Sequence, residues 1–202
     1  MSDRAVAALR SGEPVVLPTD TVYGLAATPF DSDAVARLSA LKRRPPAQPI
    51  ALLVWDVETV VELVPELGEE PAAVARALLP GPLTLVLPNP ATRFPWLGGE
   101  RADTIGIRVP VLPVVAADVL RELGALAATS ANLSGGPDPA RLEDVPAEIR
   151  NAVAVTIDGG ELPGRASTVV DLTGAEPSVL REGAVPAAVA LQRAAAALAR
   201  YS

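Results

Sequence analysis

Four short polar clusters, each at the edge of an apolar run, carry the side chains with which this chain could do chemistry. The first, Pro18-Thr19-Asp20-Thr21-Val22-Tyr23-Gly24-Leu25, sets three hydrogen-bonding side chains directly after the apolar Val15-Val16-Leu17. Open sheets place ligands at such strand ends, although a turn capping its own backbone uses the same residue types. The second is Lys42-Arg43-Arg44-Pro45-Pro46-Ala47-Gln48-Pro49. Its cations end a helical pattern and suit the helix dipole, while the prolines predict an extended chain after it. Residues two apart in an extended chain share a face, so Lys42 and Arg44 are expected to point together and Arg43 away, as an anion clamp stiffened by proline. In the third cluster, Thr129 to Gly136, Ser130 and Asn132 alternate onto one side next to two glycines. That arrangement allows close approach of a flat or phosphorylated ligand. The fourth joins Arg165-Ala166-Ser167-Thr168-Val169-Val170-Asp171 with Arg181-Glu182-Gly183, and Arg108 is a lone cation in an apolar run. Jointly they predict a cationic, hydroxyl-lined cleft.

Composition narrows what such a cleft can do. The 202 residues contain no His and no Cys, which excludes Ser-His-Asp and Cys-His devices, His or Cys metal sites and thiol redox chemistry. Phosphoryl and nucleotidyl transfer fits the remaining inventory, because positioning and charge neutralisation dominate those reactions. No Walker loop or Gly-x-Gly-x-x-Gly follows a strand, and the glycine-rich Gly159 to Gly164 reads as a turn before a strand. Of 17 basic residues only Lys42 is lysine, so it is a candidate for a task that arginine cannot perform, against chance survival as the plain alternative.

The net charge is −7 and the pI about 4.7, which disfavours bulk binding to a nucleic-acid backbone but leaves a local basic cleft open. No apolar run suits a signal peptide or a membrane span, and the absence of cysteine fits the cytoplasm. A cytoplasmic protein is therefore expected.

The clusters need a frame. Periodicity predicts helices over 3–10 (capped by Ser2), 32–41, 57–64, 72–79, 113–123 and 186–200. It predicts strands over 15–17, 50–55, 83–87, 104–109, 126–129, 153–157, 168–172 and 178–181. About eight strands and six helices in mixed order give an α/β (α+β mixed) sheet with helical cover. No repeat or composition shift marks a linker, so residues 1–202 are expected to form a single domain. Two Gly/Pro-rich gaps, 88–103 and 132–144, are expected to be surface or binding loops.

The motifs Pro18 to Leu25, Lys42-x-Arg44-Pro45, Pro80-Gly81-Pro82-x-Thr84, Arg108-x-Pro110, Ser130-Ala131-Asn132-x-Ser134-Gly135, Ser167 to Asp171 and Leu180-Arg181-x-Gly183 resemble, in the same order, those of the YrdC/Sua5 family. These are threonylcarbamoyl-AMP synthases. The resemblance runs from about Glu13 to Ala184. It implies a YrdC-like twisted mixed sheet with helices packed on it and a concave ligand cleft. It also implies synthesis of threonylcarbamoyl-AMP and pyrophosphate from L-threonine, bicarbonate and ATP, for the threonylcarbamoyladenosine of tRNAs reading codons that start with A. Carried over residue by residue, Thr21, Arg108 and Ser167 would hold threonine. Lys42, Arg44, Gln48, Thr104, Ser130, Asn132 and Arg181 would line the ATP side, with Lys42 and Arg44 as the catalytic pair. Mg²⁺ would accompany ATP, and the product would pass to the tRNA threonylcarbamoyltransferase complex without direct tRNA binding by this chain. Gln48 stands where the family commonly has Asn, and Leu53 where it has His, which bears on ATP contact and on threonine contact respectively. With the sequence running to Ser202, the family's short form is expected. The alternatives implied are another carbamoyl-adenylate-forming enzyme of this fold, and an RNA-binding module.

Overall fold

The computed structural model describes residues 1–45 and 47–200. The helices are α1 Ser2–Arg10, α2 Ser32–Leu41, α3 Val57–Leu63, α4 Glu69–Leu78, α5 Val114–Leu123, α6 Ala147–Ala152 and α7 Ala187–Leu198. The strands are β1 Val15–Pro18, β2 Tyr23–Ala27, β3 Ala51–Val54, β4 Leu83–Pro88, β5 Thr104–Arg108, β6 Ala125–Ser130, β7 Val155–Thr156, β8 Thr168–Asp171 and β9 Ser178–Arg181. All nine strands join one mixed sheet in the order β7-β1-β2-β6-β3-β5-β4-β8-β9. The pairs β1–β7, β3–β5 and β4–β8 are parallel and the others antiparallel. The expected mixed sheet with helical cover is what the chain forms.

Alternation along the strands gives the sheet two unlike faces. On one, Tyr23, Leu25, Leu52, Val54, Leu83, Leu85, Ile105, Ile107, Ala127 and Val170 build the larger core with apolar residues of α2, α3, α4, α6 and α7. On the other, α1 and α5 bring Val6, Leu9, Val119 and Leu120 onto Val15, Leu17, Ala26 and Leu126. These two helices cover the β7-β1-β2-β6 end, and their cluster extends to Leu53 of β3. Farther along the same face, over β3, β5, β4 and β8, no helical residue lines the surface. An uncovered sheet face inside a protein this apolar needs an occupant, and a cavity lies there.

Two elements escaped the sequence reading. β2 (Tyr-Gly-Leu-Ala-Ala) is buried at every position, so it shows no alternation, and Gly and Ala have little strand propensity. It pairs with β1 across the 19–22 turn, which converts the first polar cluster into a hairpin tip. The six-residue α6 offers too little periodicity to recognise. Ser2 is the first residue of α1 and not its cap; the capping position is Met1, which makes no side-chain cap hydrogen bond. The expected strand over 153–157 shrinks to the two residues of β7.

Candidate active site

Small residues make the floor of this cavity low. Gly24 of β2, Ala51 of β3, Gly106 of β5 and Ala128 of β6 lie on the open face beside Leu53, Thr84, Val86 and Val169. The space above them measures about 440 Å³, within the range of small-molecule sites. Its walls come from the β1–β2 turn, from Arg44, Ala47, Pro49 and Ile50, from Gly98, Glu100 and Arg101, and from the 166–167 and 180–181 segments. Four arginines (44, 101, 108 and 181) reach this space, against one acid, Glu100.

Arg44 arrives by a route the sequence did not predict. The chain after α2 is not extended: Lys42 keeps helical angles (φ −82, ψ −6), and Arg43 takes a left-handed conformation (φ 52). That reversal corrects the extended-clamp geometry. It nevertheless sends Arg43 outward to an exposed ion pair with Glu148 at 2.6 Å and turns Arg44 into the cavity wall. Pro46, part of the predicted stiffening, lies outside the described residues. Arg44 donates Nη1 to Thr129 Oγ1 (3.0 Å) and Nη2 to the Pro49 carbonyl (2.5 Å), while its Nε is buried without a partner. Arg181 donates through Nη2 to the Ser167 carbonyl at 2.9 Å. Among the described residues neither arginine meets a carboxylate. Burial, and then the nearby Arg181 charge, lower the Arg44 pKa. Two cations facing one space without a counter-ion call for an anionic ligand.

The second cationic position is built differently. Arg108 ends β5, and its Nη2 donates to Asp20 Oδ1 and, at 2.8 Å, to Thr21 Oγ1. Thr21 Oγ1 lies 3.0 Å from Thr19 Oγ1, whose hydroxyl donates to the Val22 carbonyl at 2.7 Å. The hairpin tip thus braces the arginine, and again its Nε is buried without a partner. Thr84 Oγ1 and Ser167 Oγ share a hydrogen bond of 2.8 Å at the neighbouring wall. Arg101, like Arg108, has a carboxylate partner, Asp171 at 2.8 Å.

Lys42 stands behind the wall. It is 3% exposed, and its Nζ donates to the carbonyls of Ser130 (2.5 Å) and Asn132 (2.8 Å) and to Asn132 Oδ1 (2.7 Å). All three ammonium protons are therefore used. Ser130 Oγ donates to Asn132 Oδ1 at 2.7 Å, and Asn132 Nδ2 to the Gly136 carbonyl at 2.6 Å. One lysine so holds the whole 130–136 loop in shape. Burial, then the Arg44 charge, push its pKa down to about 8, and Asp138 acts in the opposite direction.

Of the residues singled out from sequence, Arg44, Thr104, Ser130, Arg108, Ser167 and Arg181 line one cavity. Thr21 is fully buried and touches it through Arg108. Lys42 and Asn132 reach it through Ser130. Gln48 is exposed, between the cavity-lining Ala47 and Pro49. Tyr23, near the first cluster, is no stacking surface for a base. It is fully buried on the opposite face, with its hydroxyl 2.9 Å from Asp158 and 2.8 Å from the Gly160 carbonyl. Thr129 and Asp20 are the partners that sequence reasoning left out. Asp20 was visible within the Thr-Asp-Thr triplet, but nothing in the sequence tied it to an arginine 88 residues away. Among the described residues no group of three or more Asp or Glu could hold a metal ion.

The chain is similar to proteins that share this architecture. A Halorhodospira halophila protein named threonylcarbamoyl-AMP synthase is 40% identical over 181 residues, 89% of this chain and 88% of its own. The crystal structure of Pyrococcus abyssi Sua5 complexed with L-threonine superposes with a TM-score of 0.81 at 38% identity, over 90% of this chain and 54% of that longer one. Escherichia coli YciO superposes with a TM-score of 0.82 at 28% identity, over 94% of this chain and 92% of its own. The family pattern named for Sua5, YciO and YrdC, and described as "Telomere recombination", matches residues 7–183. With that span of match and the shared sheet, this chain belongs to the Sua5/YciO/YrdC family.

Proposed function

We propose that this protein is an enzyme, an L-threonylcarbamoyladenylate synthase acting as a nucleotidyltransferase. The observation that carries the reading is a single cavity with two kinds of arginine position: Arg44 and Arg181, with no carboxylate partner among the described residues, and Arg108, paired with Asp20. Arg44 and Arg181, free of counter-ions, suit a polyphosphate. Arg108, already paired with Asp20, suits the single carboxylate of an amino acid. A relative solved in complex with L-threonine supports threonine as that amino acid.

In this reading the threonine amine adds to the carbon of bicarbonate with loss of water, giving an N-carboxylate. A carbamate oxygen then attacks the α-phosphorus of ATP, and pyrophosphate leaves with the electron pair of the broken P–O bond. Arg108, braced by Thr21, and Ser167 hold the amino acid. Arg44, Arg181, Thr104 and Ser130 face the nucleotide and the developing phosphorane charge, where fixed cations lower the barrier most. Lys42 and Asn132 fix Ser130 from behind, and Gln48 at the rim is the remaining candidate for nucleotide contact. Mg²⁺ enters as the metal complex of the triphosphate, a substrate with phosphate and water ligands. The unstable adenylate would pass to a tRNA threonylcarbamoyltransferase complex. The RNA-binding alternative finds no support in a cavity lined by no aromatic side chain.

The test is pyrophosphate release. It should need ATP, threonine and bicarbonate together, with serine slower by roughly 10- to 200-fold at most, the range one missing methyl allows. Equal release without threonine would refute the proposal.

A further inference from the structure

We infer that Asp20 is a positioning residue for the amino-acid substrate: it holds the Arg108 guanidinium by one terminal nitrogen, Nη2, and offsets its charge, leaving the rest of this cavity-lining side chain for the carboxylate of an incoming α-amino acid. This inference rests on the threonine-using function proposed above and adds a residue to its site.

Asp20 sits at the tip of the β1–β2 hairpin and does not itself line the cavity, whereas Arg108 does. Both of its oxygens are engaged, by the end of β5 and by the segment just after it. Oδ1 accepts from Arg108 Nη2 at the end of β5, and Oδ2 accepts from the Val111 backbone N–H at 3.3 Å, just beyond β5. The pair is nearly enclosed, with side-chain exposures of 8% for Arg108 and 12% for Asp20. An enclosed guanidinium without a counter-ion is strongly disfavoured. Burial does lower the Arg108 pKa, and Asp20 is the group that opposes this. The aspartate therefore keeps the arginine charged, fixes its plane and leaves the unit formally neutral. A neutral unit with a spare N–H accepts a carboxylate without competing for the polyphosphate drawn to Arg44 and Arg181. The carboxylate form is required, because both contacts on Asp20 are made by donors. An amide in its place must turn its own N–H₂ toward either Arg108 or the Val111 N–H.

Direct binding by calorimetry separates this role from simple support of the fold. Threonine and, separately, ATP are titrated into the wild-type protein, Asp20→Asn and Asp20→Glu. Asp20→Asn should weaken threonine binding at least about tenfold while ATP affinity stays within about twofold, and Asp20→Glu, which keeps the charge, should recover part of the loss. If Asp20→Asn does not fold, a folded Asp20→Glu must still show threonine affinity reduced severalfold against unchanged ATP affinity. Threonine affinity equal to wild type in either folded variant, or parallel losses for both ligands, would overturn the inference. A wild-type protein that binds no threonine would instead overturn the functional reading beneath it.

Discussion

A single buried lysine sets the terms at the scale of residues. Lys42 brings three protons to three oxygens, a match for a compact ammonium that a planar guanidinium does not make. Lys42→Arg is therefore expected to lower kcat/KM at least about tenfold, near 1.4 kcal/mol of transition-state stabilisation. Arg44→Ala, which removes a charge from the cavity wall, should lower it more. Arg43→Ala should stay within about threefold, because Arg43 only meets an exposed glutamate. Steady-state kinetics at one ionic strength decides it, and equal losses at 43 and 44 would mean a diffuse cationic surface. The lysine also predicts a pH effect of known sign. Its native pKa of about 8 lies below the usual 10.5. Below about 8 both folded and unfolded chains carry the proton. Between about 8 and 10.5 the unfolded chain holds more protons, so this group adds stability as pH rises. ATP binding moves oppositely: a neutral amine has two protons for three oxygens, so KM for ATP should climb as pH passes about 8. In Lys42→Arg, whatever its basal KM, that inflection should vanish.

Among the elements, the strands of the open face decide how deep the site is. Gly106 in β5 shows this most clearly. A Cβ there would meet only the Thr84 methyl at 3.7 Å and Ala51 Cα at 3.9 Å, ordinary contacts, yet it would rise from the cavity floor. Gly106→Val is expected to leave the melting temperature unchanged or raised, since valine favours a strand where glycine does not. The same change should weaken ligand binding at least about tenfold. A variant that melts early, or binds normally, would show that the floor has been placed wrongly. Most strands of this face were legible, because β-branched and leucine-rich runs such as Leu83 to Leu87 mark buried strands in any context. β2 was not, since its Gly-Leu-Ala-Ala run carries neither propensity nor alternation. The clamp is more instructive. The outward Arg43 and inward Arg44 followed from an assumed extended chain, but the chain reaches that disposition through a helix end and one left-handed residue. The Asp20–Arg108 pair lay beyond sequence reading altogether, because it depends on how a hairpin tip meets a strand that enters the sheet four places away.

Across the whole molecule, asymmetry of cover produces the site. Five helices, α2, α3, α4, α6 and α7, contribute to the core on one sheet face and two cover part of the other, so the remainder is a floor with walls made of loops. The protein as a whole carries −7, while arginine outnumbers acid around this floor. The long-range field therefore does not attract polyphosphates, and recognition depends on short-range, desolvated contacts. The proposed reaction joins carbon from bicarbonate to threonine and adenylates the product in this one cavity. Mass spectrometry of the quenched reaction tests it, with ATP, Mg²⁺, threonine and bicarbonate labelled with heavy carbon. The expected product is an adenylate of threonylcarbamoyl mass that carries one heavy carbon per molecule. A threonyl-adenylate without the label, or an adenylate that forms without threonine, would contradict it.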